Sequence, residues 1–293
     1  MRRCSGLALA AWLLAVAASA EPQAAYVGTF VWQVEGPAFG GFSALDLSGD
    51  GARYVTISDR GQVLAGRFSR DGDGLVNGAT ILLQDWVRNA RGQRLLGKAA
   101  DAEGVARDGF GGIYVSFEGE ARVTHYPAIG GPEVPIASPR DFAAFPGNEG
   151  PEALAMDAGG AIYAIPEHAM LRNRAFPIYR LRGGTWDRPF AIEAVGTWLP
   201  VSADFGPDGR LYVLFRDFLG IRGFKSRVAR YDLAGDVLGA EQMLLETAPG
   251  RHDNLEGLAV WVDAGGATRL TMISDDNFSI LQQTQLVDYR LGP

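Results

Sequence analysis

Two kinds of position in this 293-residue sequence collect carboxylates. One kind opens short apolar segments: Asp101, Glu103, Glu149, Glu152, Asp204 and Glu256. The other closes the β-rich segments that follow: Asp59, Glu118, Glu167, Asp217, Asp275 and Asp276. Carboxylates gathered in one place raise one another's pKa, so a converging set needs protons, basic partners or a metal ion. All-oxygen donors select hard cations, Ca²⁺ first and Mg²⁺ or Mn²⁺ after it. The expected ligands are Glu103, Glu152, Asp204 and Glu256, with Asp59, Glu118, Glu167 and Asp275. An ion so held would polarise a scissile group and acidify a bound water, which is the chemistry of ester hydrolysis.

Basic and imidazole side chains stand near the same positions. Arg60, Arg216, Lys225 and Arg227 fall at or just beyond the closing acids. They suit simple charge pairing, and Arg60 and Arg216 could also receive an anionic group through a bidentate fork. His168 follows Glu167 and His252 precedes Asn254 and Glu256, so each is a candidate general acid or base. His125 sits in an apolar-alternating stretch, Arg122–Tyr126, and reads as structural. One cysteine and three histidines without ligand spacing disfavour zinc. The nucleophile elbow Gly-x-Ser-x-Gly of serine hydrolases does not occur.

Five repeats must position these groups. Each has a short apolar strand, a Gly/Asp turn, a β-rich strand and a polar tip; the first runs Gly41-Phe42-Ser43-Ala44-Leu45, Gly49-Asp50-Gly51, Arg53–Ser58 and Asp59-Arg60. The openers Ser43, Glu103, Glu152, Asp204 and Glu256 are 60, 49, 52 and 52 residues apart. That period, with a hairpin signal in every unit, predicts an all-β propeller of four-stranded blades. Five blades is the expected count, with six as the alternative because the first interval is long. The excess there, Trp86 to Lys98, reads as a loop over one face. The fifth unit ends after its third strand, near Leu286–Leu291, and the β-rich stretch Tyr26–Val34 is expected to close that last blade. In such a blade the start of the first strand and the end of the second share one face of the disc. Openers and tips therefore predict a single acidic mouth on the axis.

The first twenty residues read as a leader. Met1-Arg2-Arg3 precedes an apolar run, Leu7 to Ala18, and Ala18-Ser19-Ala20 has the small-x-small form of a cleavage site. The run is short of the roughly 20 residues a spanning helix needs. The expectation is a signal peptide over 1–20, a periplasmic or secreted propeller domain over 21–293, and no stable membrane span after cleavage. Cleavage removes Cys4, so the mature chain would carry neither disulfide nor thiol nucleophile. Loss of Arg2 and Arg3 from 27 basic residues leaves 25 against 34 acidic ones, a net charge of −9. No basic stripe is present to neutralise a phosphate backbone, so nucleic acid is not an expected partner. The expected partner is a small-molecule substrate, with an anionic one favoured by the arginines, acting on a monomer.

Four motif pairs resemble one bacterial family, the phytase-like proteins described as having esterase-like activity of phytase. They are Phe42-Ser43-Ala44-Leu45-Asp46 with Ile57-Ser58-Asp59-Arg60-Gly61, and Asp101-Ala102-Glu103-Gly104-Val105 with Tyr114-Val115-Ser116-Phe117-Glu118-Gly119. The others are Ala203-Asp204-Phe205-Gly206-Pro207-Asp208-Gly209 with Leu211-Tyr212-Val213-Leu214, and His252-Asp253-Asn254-Leu255-Glu256-Gly257-Leu258 with Ser274-Asp275-Asp276-Asn277-Phe278. The resemblance implies an exported propeller and, by analogy with propeller phytases, a calcium-dependent phosphoester hydrolase. Three functions follow as expectations: a Ca²⁺-assisted phosphoester or carboxyl-ester hydrolase, a lactonase like the gluconolactonase propellers that use axial Glu, Asp and Asn around one divalent ion, or a non-catalytic binding scaffold with a structural cation. Asn148 and Asn254 are the asparagines that would serve the lactonase reading.

Overall fold

The computed structural model describes residues 23–36, 38–147, 149–167 and 174–292. The leader, Asn148 and His168 lie outside these residues. Strand β1 (Ala24–Val31) comes first in the chain. Blade 1 follows as β2 (Phe42–Leu47), β3 (Arg53–Ser58), β4 (Gln62–Arg70) and β5 (Val76–Trp86). Blade 2 is β6 (Ala102–Arg107), β7 (Ile113–Phe117), β8 (Arg122–Tyr126) and β9 (Val134–Pro135). Blade 3 is β10 (Pro151–Met156), β11 (Ile162–Pro166), β12 (Ala175–Arg182) and β13 (Thr185–Glu193). Blade 4 is β14 (Leu199–Phe205), β15 (Leu211–Phe218), β16 (Phe224–Tyr231) and β19 (Gln242–Glu246), with β17 (Leu233–Ala234) and β18 (Val237–Leu238) as a small inserted hairpin. Blade 5 is β20 (Asn254–Val262), β21 (Thr268–Asp275) and β22 (Gln285–Leu291), completed by β1. The count is five, as the repeats predict.

Local chemistry sets the hairpins. At the inner turns Asp108, Asp157 and Asp263 each accept backbone N–H bonds from residues two and four positions on, for example Phe110 at 2.7 Å and Gly112 at 2.9 Å for Asp108. This is the side-chain-closed turn that Asp favours. Strands such as β11 are buried on both faces because each blade is stacked between two others. Among the described residues, five apolar clusters form, and each fills the space between two neighbouring blades.

The ring closes where blade 5 meets blade 1. Strand β1 pairs antiparallel with β22, from Ala24 opposite Leu291 to Val31 opposite Gln285. Trp32, 3% exposed, then packs parallel to Phe42 and edge-on to Tyr54. Beside it the buried Asp288 accepts hydrogen bonds from Arg70 Nη1 at 2.8 Å and Val76 N at 2.9 Å, both from blade 1. Closure by the N-terminal strand removes the open edge that would invite aggregation. The long first interval holds the 11-residue β5 and a loop whose last turn is the 3₁₀ segment Gly97–Ala99.

The five innermost strands carry a bulge at the same place. It falls at Ser43, Glu103, Glu152, Val201 and Glu256, which are 60, 49, 49 and 55 residues apart. Asp204 is therefore not the opener of blade 4; Val201 is. Asp204 lies three residues further along β14, where Asp46 lies along β2. Asp46 Oδ2 accepts from Arg107 N at 2.9 Å and Asp204 Oδ2 accepts from Val260 N at 2.7 Å. Each ties its innermost strand to that of the next blade, toward the end opposite the openers.

Candidate metal centre

The mouth is built from two residues per blade. The opener sits in the bulge, and the tip stands at the end of the second strand, just past its last residue in blades 1 to 3 and within the strand in blades 4 and 5. In blades 1 to 3 the tip amide bonds the carbonyl two residues before the opener: Asp59 to Gly41 (2.9 Å), Glu118 to Asp101 (2.9 Å) and Glu167 to Gly150 (3.1 Å). The same register places Arg216 opposite Leu199 in blade 4 and Asp275 opposite Asn254 in blade 5. The tips are thus Asp59, Glu118, Glu167, Arg216 and Asp275. Asp217 falls one position beyond the tip, opposite Lys225.

Glycine lets the openers approach each other. A Cβ on Gly104, after Glu103, would lie 2.8 Å from the Glu152 carbonyl oxygen, and one on Gly257, after Glu256, 2.7 Å from Leu45 N. The innermost strands of adjacent blades run that close because these positions have no side chain.

Two carboxylate triads result, each with oxygens within 4.8 Å of one another: Asp101, Glu103 and Glu118, and Glu118, Glu152 and Glu167. Glu118 belongs to both. Burial, reinforced by neighbouring acids, pushes the carboxyls up. Asp59 rises to about 6 and Glu118 to about 7, both through burial first; for Glu118 the charges of Asp101, Glu167 and Glu256 add to it, while a hydrogen bond shared with Glu152 opposes it. Asp275 rises to about 8, again through burial and then Glu256. Glu103 and Glu152 are held well above the usual carboxylate range by burial first, and then by the charges of Glu256 and Glu118 on Glu103 and of Glu103 and Glu167 on Glu152.

Arg216 is the basic side chain inside this ring. Its Nη1 bonds Glu256 Oε1 and Asn254 Oδ1 (3.1 Å), and its Nη2 lies 3.3 Å from Glu167 Oε1. Asn254 Nδ2 also donates to Glu256 Oε1 at 2.7 Å. Burial opposes the charge of Arg216, but Glu256, Glu152 and Glu167 outweigh it and raise its pKa. Among the described residues no guanidinium bonds Asp101, Glu103 or Glu118 in the other half of the mouth. Glu103, 8% exposed, has no hydrogen-bond or ion-pair partner among the described residues. Asp59 Oδ1 and Ser43 Oγ are buried without a partner.

The donor set fits a hard cation: Asp101, Glu103 and Glu118 converge and supply only oxygens, and Asp59, which lines a pocket with Asp101, has its buried Oδ1 without a partner among the described residues. Beside them Asp59, Arg60, Arg94, Leu96, Gly97 and Asp101 line a pocket of about 330 Å³. Arg60 stacks its guanidinium 3.4 Å from the Phe278 ring centre, and Arg94 stacks 3.2 Å from that of Trp86. One wall of this pocket is the loop that lengthens the first repeat. Sequence reasoning missed Arg94; a basic residue within that extra length was the available signal.

Other candidates are placed elsewhere. His252 turns away from the acids: its Nε2 is 2.7 Å from Tyr289 Oη, and its ring packs near Tyr26 and Tyr289. Burial, with Arg251 nearby, lowers its pKa to about 4, so it is a neutral structural group rather than an acid–base residue of the mouth. Lys225 pairs with Glu246 at 2.5 Å and Arg227 with Glu241, the simple charge-partner role. Asp276 accepts from Gly41 N (2.9 Å) and Phe278 N (3.0 Å), which makes it a clasp between blades 5 and 1. His125 bonds Asp108 at 2.8 Å and is structural.

Among the described residues no helix is long and apolar enough to cross a membrane. No curated protein sequence matches the chain. Solved structures give likenesses of fold alone, at low identity. An exo-β-1,3-galactanase from Clostridium thermocellum aligns with TM-score 0.57 and 14% identity over 90% of this chain and 63% of that one. A protein assigned as a gluconolactonase aligns with TM-score 0.47 and 14% identity over 93% and 94% of the two chains. A glucose dehydrogenase aligns with TM-score 0.40 and 16% identity over 87% and 82%. Residues 37–278, which run from just before blade 1 through the acidic tip of blade 5, match the family model "Phytase-like: Esterase-like activity of phytase", and the chain belongs to that family.

Proposed function

We propose that this chain is an exported hydrolase that holds a divalent cation, Ca²⁺ foremost, at its acidic mouth and cleaves a phosphoester or carboxyl ester of a small anionic molecule. One observation carries this reading: Asp101, Glu103 and Glu118 bring oxygens within 4.8 Å of one another, and neither the buried Glu103 nor the neighbouring Asp59 Oδ1 has a partner among the described residues. Buried oxygens in that condition are costly unless something else satisfies them.

Asp59, Asp101, Glu103 and Glu118 would hold the ion, with Glu152 bonded behind Glu118. When bound, the ion supplies Lewis-acid polarisation and a more acidic water. The protein's own residues supply orientation and proton traffic. Arg60 and Arg94 are exposed, form no ion pair among the described residues, and line the pocket beside Asp59 and Asp101. They suit one anionic group rather than a densely phosphorylated substrate. Asp275, whose carboxyl burial raises to about 8 in the metal-free mouth, is the candidate proton donor to a leaving oxygen.

A lactonase variant rests on Asn254, which bonds Glu256 in the mouth. A non-catalytic scaffold with a structural cation rests on the pairing of Arg216 with Glu167 and Glu256. Purified mature protein should be run on a panel of phosphomonoester, phosphodiester, carboxyl ester and lactone, with Ca²⁺ and then with chelator. Turnover of an ester that is lost on chelation supports the hydrolase. Turnover of the lactone alone supports the lactonase, and stabilisation by Ca²⁺ with no turnover at all supports the scaffold.

A further inference from the structure

The five tips are equivalent by register, yet four are acids and one is a base. Asp59, Glu118, Glu167 and Asp275 are carboxylates, whereas blade 4 supplies Arg216 and, at the opener, the apolar Val201. Five acids of the mouth form two triads that share Glu118, an arrangement in which a bridging carboxylate could serve two ions. The triads are not equally provided for. Glu167, in the second, is bonded by Arg216, which also takes Glu256 and Asn254. Glu103, in the first, is nine-tenths buried and has no partner among the described residues, and Asp59 Oδ1 and Ser43 Oγ nearby in the ring are likewise unsatisfied.

We propose that Arg216 is a built-in cation standing in the place of a second metal ion, so that the mouth takes one divalent cation where its carboxylates alone would take two. A guanidinium brings one positive charge and a fixed fork of donors, which matches a carboxylate from blade 3 and a carboxylate and an amide oxygen from blade 5. It bonds Glu167 and Glu256 permanently, with Glu152 within reach of its charge, and leaves the Asp59–Asp101–Glu103–Glu118 side for an exchangeable ion. The inference rests on the cation-binding reading above and adds to it a stoichiometry and a residue that sets it.

The test is a count of bound Ca²⁺ per chain by equilibrium dialysis on wild type, Arg216→Gln and Arg216→Lys, with circular dichroism to confirm the fold. Wild type and Arg216→Lys are expected to bind one ion, and Arg216→Gln two. Should Arg216→Gln fold only when Ca²⁺ is present, the count on the folded protein decides in the same way. Equal counts in wild type and Arg216→Gln overturn the inference, whereas the cation reading survives if both bind one. If wild type binds none, the cation reading falls; a gain of one ion in Arg216→Gln would still show that the guanidinium fills an ion's place.

Discussion

Arg216 stands in blade 4 where Glu118 stands in blade 2. Each follows the residue paired with the one before the opener, Phe215 opposite Pro200 and Phe117 opposite Ala102. The two side chains enter the same ring with opposite charge. The mouth is therefore asymmetric, with a half that carries its own cation and a half made of Asp59, Asp101, Glu103 and Glu118 that does not.

Ca²⁺ should raise the melting temperature of the metal-free protein by mass action. At a concentration 100-fold above Kd the gain is about 2.7 kcal/mol, or a rise of roughly 5 °C for a domain of this size. Glu103→Gln should abolish most of that rise. Glu256→Gln should reduce it far less, because Glu256 is already bonded by Arg216 and Asn254. Differential scanning calorimetry of the three proteins checks this, and equal losses in both variants would contradict the asymmetry.

The metal-free protein should lose stability as pH rises. A carboxyl whose folded pKa is raised binds more protons folded than unfolded, so its contribution is complete below the unfolded value and is lost through the folded one. With unfolded values of about 4, Glu118 at about 7 and Asp275 at about 8 place the loss between about pH 4 and 8. Saturating Ca²⁺ should flatten this slope, since the ion compensates the ionised forms. A melting temperature that climbs over the same range without metal would show that these carboxyls are not held protonated.

His252 should govern an acid limb and not the chemistry. Its folded pKa of about 4 lies below the 6.5 of a free imidazole, so stability falls as pH drops through that interval. His252→Phe should flatten that limb of the melting profile while costing the bond to Tyr289, about 1 kcal/mol. Its pH–rate profile near neutrality should match wild type; a lost limb there would return His252 to the reaction.

Asp204→Ala should destabilise the fold without touching the mouth. It strands the buried Val260 N–H, at a cost of about 1–3 kcal/mol. The rise produced by Ca²⁺ should remain as in wild type. If it vanishes, Asp204 acts on the ion after all.

Ring closure should be the most sensitive structural point. Trp32→Ala opens a cavity among Phe39, Phe42, Tyr54 and Phe68, worth about 3–5 kcal/mol. Removing residues 21–34 should cost more, because β22 then loses its partner along its whole length. Chemical denaturation of both proteins checks the order.

The blade count, the closing role of the N-terminal stretch and most of the acidic ring were legible in the residues themselves. Turn-forming Asp and Gly recur at a near-constant period, and hairpin chemistry is local, so five units could be counted without a fold. Openers and tips follow from the same alternation, and Glu103, Glu152, Glu256, Asp59, Glu118, Glu167 and Asp275 stand where that logic puts them. Asp204 was misplaced because acid type was matched across repeats. Position is set by the bulge, which depends on pairing with the next strand and not on the residue's charge. The outward turn of His252 and the division of the mouth by Arg216 depend on side chains from blades distant in sequence. Only tertiary packing decides which carboxylate the guanidinium reaches and which is left alone, because burial and partner choice are properties of the assembled ring.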